Sequence, residues 1–255
     1  MPNFASNTLR LIGEHDLLQA VTEKVKGKPP YAFDFNKIIP MPKELEGTFS
    51  PMEIEHALAF YCLREKIQLP EVKGLFLLRD KNIRELARLF PEESAEETYK
   101  AGKRWYELWK RFGYVSWYTW ACDNWGTKWN ALDSDGPTWE SDNAVMYTFD
   151  TAWSAPLPVI TKLSYQNPDI TFELEVIYEG GEPADRFIIE RGNMTDRQEG
   201  KRILTDAKSG KVYEDYCDIP EDADIDESYE WEDSSTFDLS NYLHGMAGET
   251  HGAAY

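Results

Sequence analysis

Residues 143–180 read "NAVMYTFDTAWSAPLPVITKLSYQNPDITFELEVIYEG". In "NAVMYTFDTAW", Val145, Tyr147, Phe149 and Thr151 fall at every second position, the period of a half-buried strand. "SAPLPVITKLSYQNP" then reads as a helix whose prolines sit at its entry, where a missing N–H is tolerated, and which ends at the Asn167-Pro168 turn. "ITFELEVIYEG" alternates again, with Ile170, Phe172, Leu174, Val176 and Tyr178 on one face. The stretch is therefore strand, helix, strand, and it sets the expectation for the whole chain.

Working toward the N-terminus, "NTLRLIG" (7–13) predicts a strand with Leu9 and Leu11 pointing one way. Leu17, Leu18, Val21 and Val25 recur at helical spacing up to Gly27. "YAFDFNKIIPMP" (31–42) alternates Tyr31, Phe33 and Phe35 and predicts a second strand that stops at Pro40 and Pro42. Between the halves lies helical sequence. "SPMEIEHALAFYCLREK" opens with Ser50, Pro51 and Glu53 in a capping-box arrangement. "NIRELARLF" (82–90) and "SAEETYKAGKRWYELWKRFG" follow, and "SWYTWACDNWG" predicts one more short helix closed by Gly126. Beyond residue 180, "ADRFIIERG" predicts a strand, and "RILTDAKSGKVYEDY" a hairpin around Lys208-Ser209-Gly210. No internal repeat relates the halves.

Two strand–helix–strand units around a helical insertion predict an α+β protein with a ferredoxin-like split βαβ antiparallel sheet. The boundaries expected are 1–46 for the first βαβ half and 47–142 for a helical, Trp-rich insertion. Residues 143–211 form the second half plus extra strands, and 212–255 an acidic, flexible tail.

The charge supports that last boundary. The chain carries a net −19, and the last 44 residues hold 13 acids and no lysine or arginine. The body has no strongly basic stripe, so direct nucleic-acid binding is not expected. No apolar run approaches the roughly 18 residues of a membrane span, and the N-terminus lacks a signal-peptide layout. Cys62, Cys122 and Cys217 are widely spaced and form no CxxC pair, which predicts reduced thiols and a cytoplasmic setting.

Three pieces in order, "FDFNKIIPMPKEL" (33–45), "NWGTKWNA" (124–131) and "FDTAWSAPLPVITKLS" (149–164), resemble the YubB-type proteins of bacterial plasmids and bacteriophages. The resemblance spans roughly residues 7–195 and excludes the acidic tail. It implies a ferredoxin-like sheet in a bacterial or phage cytoplasmic setting, and it carries no catalytic residue and no cofactor. No iron–sulfur cluster is implied, since the chain lacks four clustered cysteines.

No chemical signature stands out against this background. Seven of the nine tryptophans lie between Trp105 and Trp139. Trp105/Trp109 and Trp117/Trp120 keep helical spacing and are expected in a core. Trp125, Lys128 and Trp129 in "NWGTKW" are less regular, and they are the candidate binding residues. The Gly-Thr-Lys order is not a phosphate loop, and a helix end has the wrong dipole sign for phosphate. Lys128 is expected to complement that dipole and to lie over a Trp face. The histidines His15, His56, His244 and His251 form no metal motif, and no GxSxG elbow occurs. "DADIDESYEWED" (222–233) places Asp222, Asp224 and Asp226 like a calcium loop, but Glu227 replaces the required glycine. No metal site is expected.

These features predict a non-catalytic binding or accessory protein of a bacterial mobile element, acting through a host protein. Contact is expected around Trp125 and Trp129 or through the tail, whose Tyr229, Trp231 and Phe237 are interleaved with acids. The alternatives are a DNA-mimic inhibitor that uses the acidic tail, and an enzyme acting on a small molecule.

Overall fold

The computed structural model describes residues 3–48, 51–68, 70, 72, 95–179, 184–213, 218–220 and 222–233. The chain divides into two compact units, residues 1–39 with 124–255 and residues 40–123. The expected helix over 82–90, the caps at Ser50 and Ser94, and the chain after residue 233 lie outside the described residues. Among the described residues, no helix is long and apolar enough to cross a membrane.

The first unit is built on a mixed helix–strand frame with an eight-stranded antiparallel sheet. Its strands are β1 (Phe4–Ile12), β2 (Leu132–Ser141), β3 (Ala144–Ala152), β4 (Thr171–Tyr178), β5 (Ala184–Glu190), β6 (Asn193–Asp206), β7 (Val212–Tyr213) and β8 (Ile225–Asp233). They lie in the order β2-β3-β1-β4-β5-β6-β7, and β8 pairs with β6. β1 pairs antiparallel with both β3 and β4. Helix α1 (His15–Val25) follows β1, and the helix over Leu157–Gln166 joins β3 to β4. β3 and β4 run the same way with β1 between them. β1 and β2 likewise run the same way with β3 between them.

Strand alternation decides which face is buried. Leu9 and Leu11 of β1 share a face with Val145, Tyr147 and Phe149 of β3 and with Phe172, Leu174 and Val176 of β4, all at most 2% exposed. Leu18, Val21 and Val25 of α1 are buried too, with Leu157, Ile160 and Leu163 of the later helix. Full burial stabilises each such side chain by about 1.5–3 kcal/mol.

The segment 31–42 is not a strand. Its donors go elsewhere: Ala32 and Phe33 N–H donate to Ser134 Oγ (2.7 and 3.4 Å), and Phe35 N–H donates to Asn130 Oδ1 (2.8 Å). A short 3-10 turn at Phe35–Lys37 is capped by Asp34, whose side chain accepts from Asn36 N–H. Phe33 and Phe35 still alternate inward because both fill the core, Phe33 stacking on Phe149 at 5.3 Å and Phe35 meeting it edge-on. The strand that takes that place in the sheet is β2, which follows residues 40–123 in the sequence. Residues 1–46 therefore hold one strand of the first unit rather than a complete βαβ half. The insertion interrupts that unit, and residues 132–141 belong to the sheet. β2 evaded sequence reading because it is a bulged edge strand carrying Gly136-Pro137, with few apolar positions to alternate.

The second unit is helical. α2 (Pro51–Glu65) and α3 (Ala95–Phe112) pack through a core of Ile54, Leu58, Tyr61, Cys62, Val72 and Val115. Partly buried Trp105 and Trp109 lie against it, as their spacing predicts. The inward face of α3 also includes Gly102, where an added Cβ would lie 2.0 Å from the Ala57 carbonyl. α4 (Trp117–Trp125) follows, and the helix over Leu157–Gln166 is α5.

The tail departs from expectation. Residues 225–233 are not a free acidic segment but β8, laddered to β6 from Gln198↔Asp233 to Asp206↔Ile225. Its open-face residues drive this: Trp231 lies over Arg186 at 4.4 Å and covers Gly200. From Ile225 onward the calcium-like run is extended. Its acids alternate between two faces instead of converging on an ion. Asp206 pins the strand entry. Its carboxylate accepts from the Ser209 hydroxyl (2.5 Å) and from the N–H groups of Asp224 (3.1 Å) and Lys208 (3.1 Å), which hold its pKa down to about 2. A depressed carboxylate pKa stabilises the fold above the unfolded pKa and loses that effect as pH falls through the folded one. Acidification from about pH 4 to pH 2 is thus expected to release β7 and β8, read as loss of amide exchange protection in Ile225–Asp233. Asp206→Asn is expected to lower that protection already at pH 7 and to flatten its pH dependence.

Candidate functional site

The site grows from a helix end. α4 stops at Gly126, whose φ of +83° suits glycine, and an added Cβ there would meet Pro158 Cδ at 2.5 Å. The chain that follows is tied to the end of β3 at three points. Thr127 Oγ1 donates to Ala152 O (3.0 Å) and accepts from Ala152 N–H (3.1 Å), and Ser154 Oγ donates to Gly126 O (2.7 Å). Asn130 fastens the other flank: Oδ1 accepts from Phe35 N–H, and Nδ2 donates to Asp34 Oδ1 (2.8 Å).

These ties bring Lys128, Trp129 and Trp153 together. The Lys128 ammonium lies 3.9 Å from the Trp129 ring centre and 4.1 Å from that of Trp153. The contact with an indole face is the one expected from sequence, with a second face added. Trp153 is 44% exposed, and its backbone has φ of +69°, unusual for a bulky residue. Its N–H donates to Asn3 O at 3.0 Å, which fixes the ring's base. Trp129 is half-buried. Sequence reading missed Trp153 because it continues the β3 pattern by one residue, and a left-handed tryptophan has no sequence cue.

Trp125 is a different kind of residue. It is 3% exposed, its indole Nε1–H donates to Ile39 O at 2.9 Å, and its ring meets Phe35 edge-on. Burial removes it from the surface that Lys128 and Trp129 share.

Several charged groups elsewhere among the described residues pair with one another. On the sheet face opposite the core, Arg10 pairs with Glu140 (2.6 Å) and Glu173 (3.5 Å), and Arg186 pairs with Glu173 (3.2 Å) and Glu175. The Glu140 hydrogen bond raises the Arg10 guanidinium pKa, and the same bond lowers that of Glu140. A surface hollow on α2 and α3 is lined by Arg64, Glu65, Glu96, Tyr99, Lys100 and Lys103. There Tyr99 donates to Glu65 (2.8 Å) and Lys100 pairs with Glu96 (2.7 Å). Burial pushes the Cys62 thiol up to about 11, which disfavours thiolate chemistry. His15 is in contact with Trp139 at 4.8 Å and lies 3.3 Å from the Asp142 carbonyl. Among the described residues, no group of three or more His, Cys, Asp or Glu side chains is placed to hold a metal ion.

No family model matches the chain, and no curated protein matches it. Among solved structures, it is similar to the crystal structure of protein api92 from Yersinia pseudotuberculosis, described under the family model DUF1281. The two are 11% identical with a TM-score of 0.37, over 78% of this chain and 98% of that one.

The position of Trp125 makes a structural prediction. Trp125→Phe keeps much of the ring packing but leaves the Ile39 carbonyl without this donor, and it is expected to destabilise by about 1 kcal/mol. Trp125→Ala is expected to cost about 3–5 kcal/mol by opening a cavity. Both are measurable by denaturant unfolding.

Proposed function

We propose that this is a non-catalytic binding protein of a bacterial mobile element that acts in the cytoplasm on a host protein. Contact is made through the surface of Lys128, Trp129 and Trp153. The observation that carries this reading is Trp153, a large aromatic side chain left exposed on a rigidly tied backbone. Exposed aromatic anchors on preorganised backbone are the residues that dominate protein interfaces. We assign the β2-β3-β1-β4 part of the sheet, with α1 and α5, to the ferredoxin-like split βαβ arrangement, since both crossovers span one intervening strand. The YubB-type resemblance, resting on residues 33–45, 124–131 and 149–164, is in keeping with that assignment and with a plasmid or phage origin.

The test is affinity capture from bacterial lysate with the full chain and its Trp153→Ala and Trp129→Ala variants. Capture of a discrete host protein by the parent chain, lost at least about ten-fold in both variants, is the expected result. Equal capture by all three chains would remove this surface from the function.

One observation favours a second reading, DNA mimicry. β8 holds exposed Asp226, Glu230 and Glu232 on one strand face, with Ser228 between the first two. If these acids imitate phosphates, Asp226→Asn, Glu230→Gln and Glu232→Gln together abolish inhibition of a DNA-cleaving enzyme in a nuclease assay, and the parent's inhibition weakens steeply with salt. Undiminished inhibition by the triple variant counts against the reading.

A further inference from the structure

We infer that the outer face of α3 is a binding surface for single-stranded nucleic acid. It belongs to the helical unit, whereas Trp129 and Trp153 belong to the first unit, so it stands or falls independently of the host-protein reading.

Charge is divided unequally between the two units. Residues 40–123 hold 13 of the chain's 27 lysines and arginines against 14 of its 46 acids, a net −1, which leaves −18 for the rest. Within α3, Lys100, Lys103, Arg104, Lys110 and Arg111 recur at three-, four- and seven-residue steps, so they share one helical face, and all five are exposed. Glu107 is the one acid of that face between Lys100 and Arg111. Lys100 pairs with Glu96 (2.7 Å), Lys103 with Glu107 (3.9 Å) and Arg111 with Glu44 (2.6 Å), exposed pairs that contribute little. Arg104 and Lys110 enter no ion pair among the described residues.

Aromatic rings flank the cations. By the helical period Trp105 and Phe112 follow one side of the stripe and Tyr99 and Tyr106 the other, and all four are half-buried. Arg104 lies over the Trp105 ring at 5.0 Å, Arg111 over Phe112 at 4.7 Å, and Arg64 of α2 over Tyr99 at 5.4 Å. Cations that track phosphates beside rings that stack bases are the two parts of a single-strand site. A duplex keeps its bases stacked on one another and offers such rings nothing. A membrane needs an apolar helix face, and that of α3, with Trp105, Tyr106 and Trp109, already packs on the core of α2. The acid-rich remainder of the chain repels a polyanion, and salt screens that repulsion beyond about 8 Å, so contact falls to the helix face itself.

The experiment titrates full-length protein into a fluorescein-labelled oligomer of about twelve thymidines and follows anisotropy at several salt concentrations. Arg104→Gln combined with Lys110→Gln is expected to weaken binding about ten-fold and to flatten the slope of log affinity against log salt by about 1.4. Arg104→Lys combined with Lys110→Arg is expected to keep the parent's slope. An abasic oligomer of the same length and charge is expected to bind about ten-fold more weakly than the thymidine one. Thermal unfolding establishes that each variant is folded. No binding by the parent, or an unchanged affinity and slope in the Gln variant, would overturn the proposal. Equal binding of the abasic oligomer removes the rings from the site, and binding of polyglutamate as tight as that of the oligomer makes the face one for acidic proteins. Equal binding of a duplex of the same length counts against single-strand recognition. Lysate capture that still requires Trp153 after any of these outcomes leaves the host-protein reading in place.

Discussion

The structure of the first unit depends on β1 being paired along both edges. Its nine residues are laddered to β3, and Ala5–Ile12 to β4 as well, so Leu9 lies between Tyr147 and Leu174, and Leu11 between Val145 and Phe172. A strand buried this way cannot slip by one residue, because every apolar side chain would turn to the opposite face. That constraint fixes the register of the central strands. It also fixes where β3 ends, at Ala152, and hence where Trp153 leaves the sheet.

From that point the site follows by local bonding. Thr127 is 1% exposed and exchanges two hydrogen bonds with Ala152, so the loop after α4 is held against the strand end. Buried polar groups must be satisfied, and this loop is where Gly126, Ala152 and Ser154 find partners. Asn7 extends the connection inward: its amide donates to Thr151 Oγ1, which in turn donates to the Ser154 carbonyl. A polar chain thus runs from the middle of β1 to the residue beside Trp153.

What was legible in the sequence was whatever alternates or repeats over several apolar positions. β1, β3, β4, β5, α1 and α5 each present such a pattern, and the β6–β7 hairpin announces itself through Ser209-Gly210. The failures share a cause. Segment 31–42 alternates Phe33 and Phe35 because the core needs two rings there, while its N–H groups bond to Ser134 and Asn130 a hundred residues away. β2 is a strand with almost no apolar face to read. In each case a contact distant in sequence overrode the local signal.

The acidic segment shows how composition misleads. Counting charge alone, residues 222–233 read as solvated chain, and their alternation of Ile225, Glu227, Tyr229 and Trp231 is easily lost among the acids. Yet Tyr229 and Trp231 lie 5.9 Å apart on the sheet's open face, and Arg186 lies over Trp231 while pairing with Glu173 and Glu175. Two aromatic rings and one matched arginine hold a strand whose remaining side chains are almost all acidic. The same physics recurs at Lys128, where indole faces and a cation meet at the other part of the molecule that composition had marked. The difference lies in anchoring: at Trp231 the ring rests against Gly200 and serves the fold, whereas at Trp153 nearly half of the side chain remains in water. An aromatic–cation pair that leaves this much indole exposed has interaction surface left over, and this is why the reading of function rests there rather than on the tail.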